Sequence, residues 1–72
     1  MKIFVIKFNT LNFGRGVAVV ISDTMTHAFE LLKSGGRLNG YSHQYQELSC
    51  VEVGKSTIDQ PVIVEEVIAQ IE

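Results

Sequence analysis

Few residues in the chain combine a type and a spacing that suit chemistry. Gly54, Lys55, Ser56 and Thr57 spell GKST, the tail of a phosphate-binding loop in which backbone amides and the lysine hold phosphates. The complete pattern needs a glycine five residues before Gly54, where Ser49 stands, and a helix directly after, which Pro61 opposes. A polar turn is the expected reading. Cys50 with His43 or His27 would offer a thiol and a base, since a nearby imidazole holds a thiol as thiolate. In the apolar run LSCVEV, however, Cys50 is expected to be a small buried hydrophobe and inert. His27, Glu30, His43 and Cys50 are all metal-ligand types, but no pair among them has the spacing that marks a zinc site. Glu65 and Glu66 are adjacent and point apart on a helix or a strand, so they make no catalytic carboxylate pair. The sequence predicts no catalytic residue, no metal and no cofactor.

Binding is the chemistry that remains. Asn9 to Gly16 reads NTLNFGRG, a turn region into which Leu11 and Phe13 place apolar side chains. Such side chains either fold back as a lid on the core or form an exposed contact surface, because loops on a rigid scaffold often carry binding. Phe13 and Arg15, set between glycines, are suited to stack on a base or to dock in a partner's pocket. A second turn-rich stretch, Gly36 to Gln44, adds Arg37, Tyr41 and His43, with Tyr45 just beyond it. Tyrosine and arginine are enriched in protein-binding and nucleic-acid-binding patches alike, so residue type does not choose between the two.

The elements that must position these residues follow from periodicity. In Lys2 to Phe8, KIFVIKF, the residues Phe4, Ile6 and Phe8 alternate with Ile3 and Val5, which predicts a central strand with one face in the core and the other partly covered. Val17 to Ile21, VAVVI, predicts its antiparallel hairpin partner, the two joined by a turn whose glycines can take positive φ. Ser22, Asp23 and Thr24 offer N-cap side chains, after which Met25, Ala28, Phe29 and Leu32 recur at helical spacing. A helix over Thr24 to Ser34 is expected, ended by left-handed glycine at Gly35 and Gly36. Leu48 to Val53 reads as a third strand. The segment after Pro61 is double-natured: Pro61 to Val64 is β-branched like a strand, yet Ile63, Val64, Val67, Ile68 and Ile71 also fit one helical face. The strand is preferred.

The expected fold class is therefore α+β: a small mixed or antiparallel sheet of three to four strands with one helix packed on a face, ordered β-β-α-β plus a C-terminal strand or a second helix. A right-handed crossover would set the third strand beside the first, in the order 2-1-3. Phe13 and Arg15 would then share one end of the sheet with Arg37, Tyr41 and His43. Phe4, Ile6, Val19, Phe29, Leu32 and Val51 are expected to form most of the core.

At 72 residues one core and one domain over residues 1–72 are expected, and a 46% apolar share supplies enough surface to fold. The single cysteine excludes an intramolecular disulfide framework and predicts a reducing, cytoplasmic setting. Lys7 breaks the N-terminal apolar run and no stretch nears ~20 apolar residues, so neither a leader nor a membrane span is expected. A net charge of −2 lacks the basic excess that phosphate-backbone binding draws on.

Phe13 to Gly16, Ala28 with Leu31 and Leu32, Asn39 with Gly40, and Gln60 to Glu65 carry a resemblance. In these stretches the chain resembles the short uncharacterised β-β-α-β proteins of gut bacteria and their mobile elements. The resemblance spans most of the chain and implies a small orphan domain, and, with no activity attached to that group, it transfers no functional residue. The expected function is a non-enzymatic interaction module, acting through the loop end or an exposed sheet edge on a protein partner or as a homodimer. The alternative is an accessory nucleic-acid binder using Phe13, Arg15, Arg37 and Tyr41, followed by a small enzyme built on Cys50 and a histidine.

Overall fold

The computed structural model describes residues 1–69. The strands are β1 (Lys2–Thr10), β2 (Arg15–Ser22), β3 (Tyr45–Lys55) and β4 (Val62–Ala69), with one helix, α1 (Met25–Gly35), and a short 3-10 segment, Asn39–Gln44. They form a four-stranded sheet in the order β3-β1-β2-β4 with every neighbouring pair antiparallel. This is the small α+β fold expected, with β3 beside β1 and the last segment a strand. Ile71, one of the residues that suited the helical alternative, lies outside the described residues.

Side-chain alternation along β1 decides which way the sheet faces. Phe4, Ile6, Phe8 and Thr10 are buried on the α1 side, while Ile3, Val5, Lys7 and Asn9 point the other way. Across the hairpin, Phe8 pairs with Gly16, Ile6 with Ala18 and Phe4 with Val20, so large residues of β1 face small ones of β2. A Cβ on Gly16 would overlap the Phe8 ring and the Val67 carbonyl oxygen. Its role is close approach. Among the described residues only Gly14 takes positive φ, at 94°, to close the turn. There the Thr10 hydroxyl donates to the Gly14 carbonyl at 2.6 Å and accepts from the Phe13 amide at 2.8 Å.

Helix α1 begins at the Thr24 cap, whose hydroxyl accepts from the His27 amide. Ala28 and Leu32 are its buried residues, with Phe29 and Leu31 packed half-buried beside them. Met25, expected on the apolar stripe, is exposed, because the stripe enters the core one turn later. The helix does not end in a left-handed glycine: Gly36 is extended (φ −80°, ψ −174°) and its amide donates to the Leu32 carbonyl at 2.9 Å. The core joins Phe4, Ile6, Phe8, Ala18, Val20, Ala28, Leu32 and Tyr45. Val51 and Val19, expected there, stand on the opposite face, Val51 exposed and Val19 half-buried.

The third strand runs well beyond Leu48 to Val53. Its ends, Gln46, Glu47, Gly54 and Lys55, have little strand propensity of their own, and pairing along the length of β1 holds them, with register shifts beside Phe4 and Phe8. No helix among the described residues is long and apolar enough to cross a membrane.

Candidate interaction surface

The residues expected to bind do share one end of the sheet. The Asn12 amide donates to the Gln44 side-chain carbonyl at 3.0 Å, tying the β1–β2 turn to the 3-10 segment. Phe13, Arg15, Arg37, Tyr41 and His43 are all exposed at this end, and Tyr41 meets His43 edge to face at 6.4 Å. Leu11 and Phe13 are 54% and 40% exposed. That excludes the lid. Arg37 is partly committed to structure, since its Nε donates to the Glu66 backbone carbonyl at 3.0 Å.

Tyr45 does not join this patch. It turns into the core, packs edge to face on Phe8 at 5.0 Å, and donates its hydroxyl to Glu66 Oε2 at 2.6 Å while accepting from the Leu38 amide at 3.0 Å. Glu66, 5% exposed, also accepts from the Arg37 amide at 2.8 Å through Oε1. A Cβ on Gly36 would stand 2.5 Å from the Tyr45 hydroxyl and 2.7 Å from Glu66 Oε1, which is why glycine is required there. Burial first, then the hydrogen bond to the Glu66 carboxylate, pushes the Tyr45 phenol up to about 12. This clasp joins the segment after α1 to β3 and β4. Alternation from Ile63 would turn Glu65 inward, and the register shift in β4 turns Glu66 inward instead, so the sequence carried no signal for it.

The feature that sequence reasoning missed is the face of the sheet turned away from α1. Register and alternation place Val51, Val5, Val19 and Glu65 in one row across it. The next row holds Ser49, Lys7, Val17 and Val67, and the one on the other side Gly54, Ile3, Ile21 and Val62. Val17, Val51, Val62 and Val67 are exposed at 42%, 53%, 39% and 55%, while Ile3, Val5 and Val19 are half-buried and Ile21 is buried. Scattered exposed apolar side chains are ordinary, whereas a contiguous patch marks a surface that meets something. A shallow hollow of about 230 Å³ lies at its upper end, lined by Arg15, Gly16, Val17, Val67 and Ala69.

A second hollow, about 510 Å³, opens at the other end of the sheet between Met1, Ser22, Asp23, His27, Glu30, Leu31, Ser34 and Pro61. Here His27 Nδ1 lies 2.7 Å from Asp23 Oδ1, and the Ser22 hydroxyl donates to the same oxygen at 3.2 Å. The serine bonds the carboxylate rather than the imidazole, so the trio is not a nucleophile–base relay. The hydrogen bond to Asp23 raises His27 above its usual 6.5, and the same bond lowers Asp23 below its usual 3.8. The histidine's contribution to stability is full below pH 6.5 and fades as pH rises through its raised value; the aspartate's is full above 3.8 and fades as pH falls through its lowered value. In an NMR titration the His27 ring is expected to show a midpoint above 6.5 that Asp23→Asn returns toward it. An unchanged midpoint in the variant would remove the pair.

The remaining candidate chemistry is dispersed. His27 and Glu30 lie on α1 and Cys50 on β3, whereas His43 sits at the loop end, and among the described residues no three metal-ligating side chains gather. Gly54 and Lys55 end β3 and the Ser56 amide donates to the Met1 carbonyl at 2.7 Å, with strand rather than helix following, so GKST is a strand end and the bend after it. Cys50 pairs with Ile6 on the core side, and burial, with the Glu47 charge second, pushes its thiol up. In the folded protein at neutral pH it is expected to react with a thiol reagent more slowly than free cysteine. Modification as fast as in the unfolded chain would show that the thiol is open. Comparison with family models and with curated proteins finds no match in either.

Proposed function

We propose that the chain is a non-enzymatic protein-interaction module that acts through the uncovered face of its sheet. One observation carries the reading: an antiparallel sheet with one face in water is ordinarily polar on that face, whereas here Val17, Val51, Val62 and Val67 stand exposed on the face turned away from α1. The loop end, with Phe13, Arg15, Tyr41 and His43, adjoins this face through Arg15 and extends the contact surface.

The test compares the protein with Val17→Asp and Phe13→Ala, all checked for folding by circular dichroism. Association is measured by light scattering, by capture from lysate, and by salt titration against single-stranded and duplex DNA and RNA. Loss of association on Val17→Asp, with no nucleic-acid binding, is the expected result. Micromolar nucleic-acid binding that weakens steeply with salt and vanishes on Arg15→Ala would overturn the proposal, since counterion release produces that signature.

A further inference from the structure

We infer that the occupant of the uncovered face is a second copy of this chain, the two sheets packing face to face into a sandwich. The inference rests on the interaction reading above and names its partner.

Shape admits a sheet as the occupant. An extended peptide adds to a sheet edge, whereas rows of β-branched side chains on a twisted sheet interdigitate with another such face about 10 Å away. Size is adequate for a reversible dimer. Under a two-fold axis along β2 the strands β1, β2 and β4 of each copy overlap and β3 lies outside, so three strands about 4.8 Å apart and about seven residues long present a footprint of roughly 330 Å². With side-chain relief two such faces bury on the order of 800 Å², the size of a weak, transient contact.

Charge favours identity between the partners. The face carries one lysine and one glutamate in its valine rows, Lys7 on β1 and Glu65 on β4, on opposite sides of β2 and one row apart. An isologous interface must be self-complementary, so a surface that brings both signs suits a copy of itself. A two-fold axis along β2 lays β1 over β4 of the partner subunit. Lys7 then stands over Val67 of the partner subunit, one row from Glu65 of the partner subunit, within reach of a four-carbon side chain. Two equivalent ion pairs result. Val17 and Val19 meet their own symmetry mates on the axis. Arg15 does so too, but at the rim in water, where screening keeps like-charge repulsion small.

The experiment is sedimentation equilibrium of the whole protein from about 1 μM to about 1 mM, with a dissociation constant in the micromolar range expected. Val17→Asp sets two carboxylates against each other on the axis and is expected to leave only monomer. Lys7→Glu is expected to weaken the dimer about tenfold or more, and Lys7→Glu with Glu65→Lys to restore it. Both charged residues are exposed, so the charge swap tests the pairing even if Val17→Asp does not fold. A monomer at every concentration, or a dimer that the swap fails to rescue, would overturn the second-copy inference. If that monomer still captures another protein in a Val17-dependent way, the interaction reading stands and only the partner is wrong. Association that Val17→Asp leaves untouched overturns both.

Discussion

Phe8→Ala is expected to cost about 3 to 5 kcal/mol of folding stability, among the largest effects of a single truncation in the chain. Phe8 has no exposed surface, and its ring packs on Tyr45 and fills the space that Gly16 leaves open. Removing the ring therefore empties a site bounded by backbone, and backbone collapses poorly into a cavity. The loss is comparable to the whole stability of a chain this short, at roughly 0.05–0.15 kcal/mol per residue. Urea unfolding of the variant should show a lower midpoint at unchanged slope, or no folded baseline at all. A loss below ~1 kcal/mol would mean that the α1-facing layer is not the core. Phe29 provides the contrast: it is half-buried, with the Lys33 ammonium 5.0 Å from its ring centroid, so Phe29→Ala is expected to cost less than Phe8→Ala.

Breaking the Tyr45–Glu66 clasp is the second large effect. Glu66→Leu removes the acceptor of two donors, the Tyr45 hydroxyl and the Arg37 amide, and is expected to cost about 2 to 4 kcal/mol, since a buried donor left without a partner loses its hydration for nothing in return. Tyr45→Phe takes one donor from the carboxylate and the acceptor from the Leu38 amide, for about 1.5 to 3 kcal/mol. Because the two side chains touch, the costs should not add, and the double variant should lose clearly less than the sum. Alkaline pH gives an independent check. The phenol's ordinary value of 10.0 is raised to about 12 in the folded state, so its contribution is full below pH 10.0 and is lost as pH climbs through about 12. Tyr45→Phe should abolish that loss, with a Tyr41→Phe background removing the other tyrosine from the absorbance signal. An alkaline transition identical in the two proteins would mean that Tyr45 is not the group responsible.

The loop end and the uncovered face differ in what made them visible. Phe13, Arg15, Tyr41 and His43 were legible because an aromatic or a cation in a turn violates the polar habit of turns, and a three-strand topology then gathers them at one end. Their neighbour Tyr45 was misjudged for a local reason. It is the first residue of β3, opposite Thr10, and alternation from that pairing turns it inward. Gln46 and Glu47, which follow it, have little strand propensity, so the start of β3 was not legible.

Much of the fold was written locally. Alternation in KIFVIKF defines β1 and its core face, and the Thr24 cap with Ala28 and Leu32 one turn apart defines α1. Both signals lie within a few residues, where side-chain period and backbone geometry are directly coupled. The last segment, VIVEEVIA, satisfied the helical and the strand pattern together, and the free edge of β2 decided for strand. The clasp was invisible because Tyr45 and Glu66 stand 21 residues apart and meet only when β3 and β4 are placed on either side of the β1–β2 pair. The uncovered face was invisible for a related reason. A valine alternating along a strand reads the same whether a second layer covers it or not. Here one helix of 11 residues covers one face of four strands, and only the tertiary structure shows which valines it leaves open.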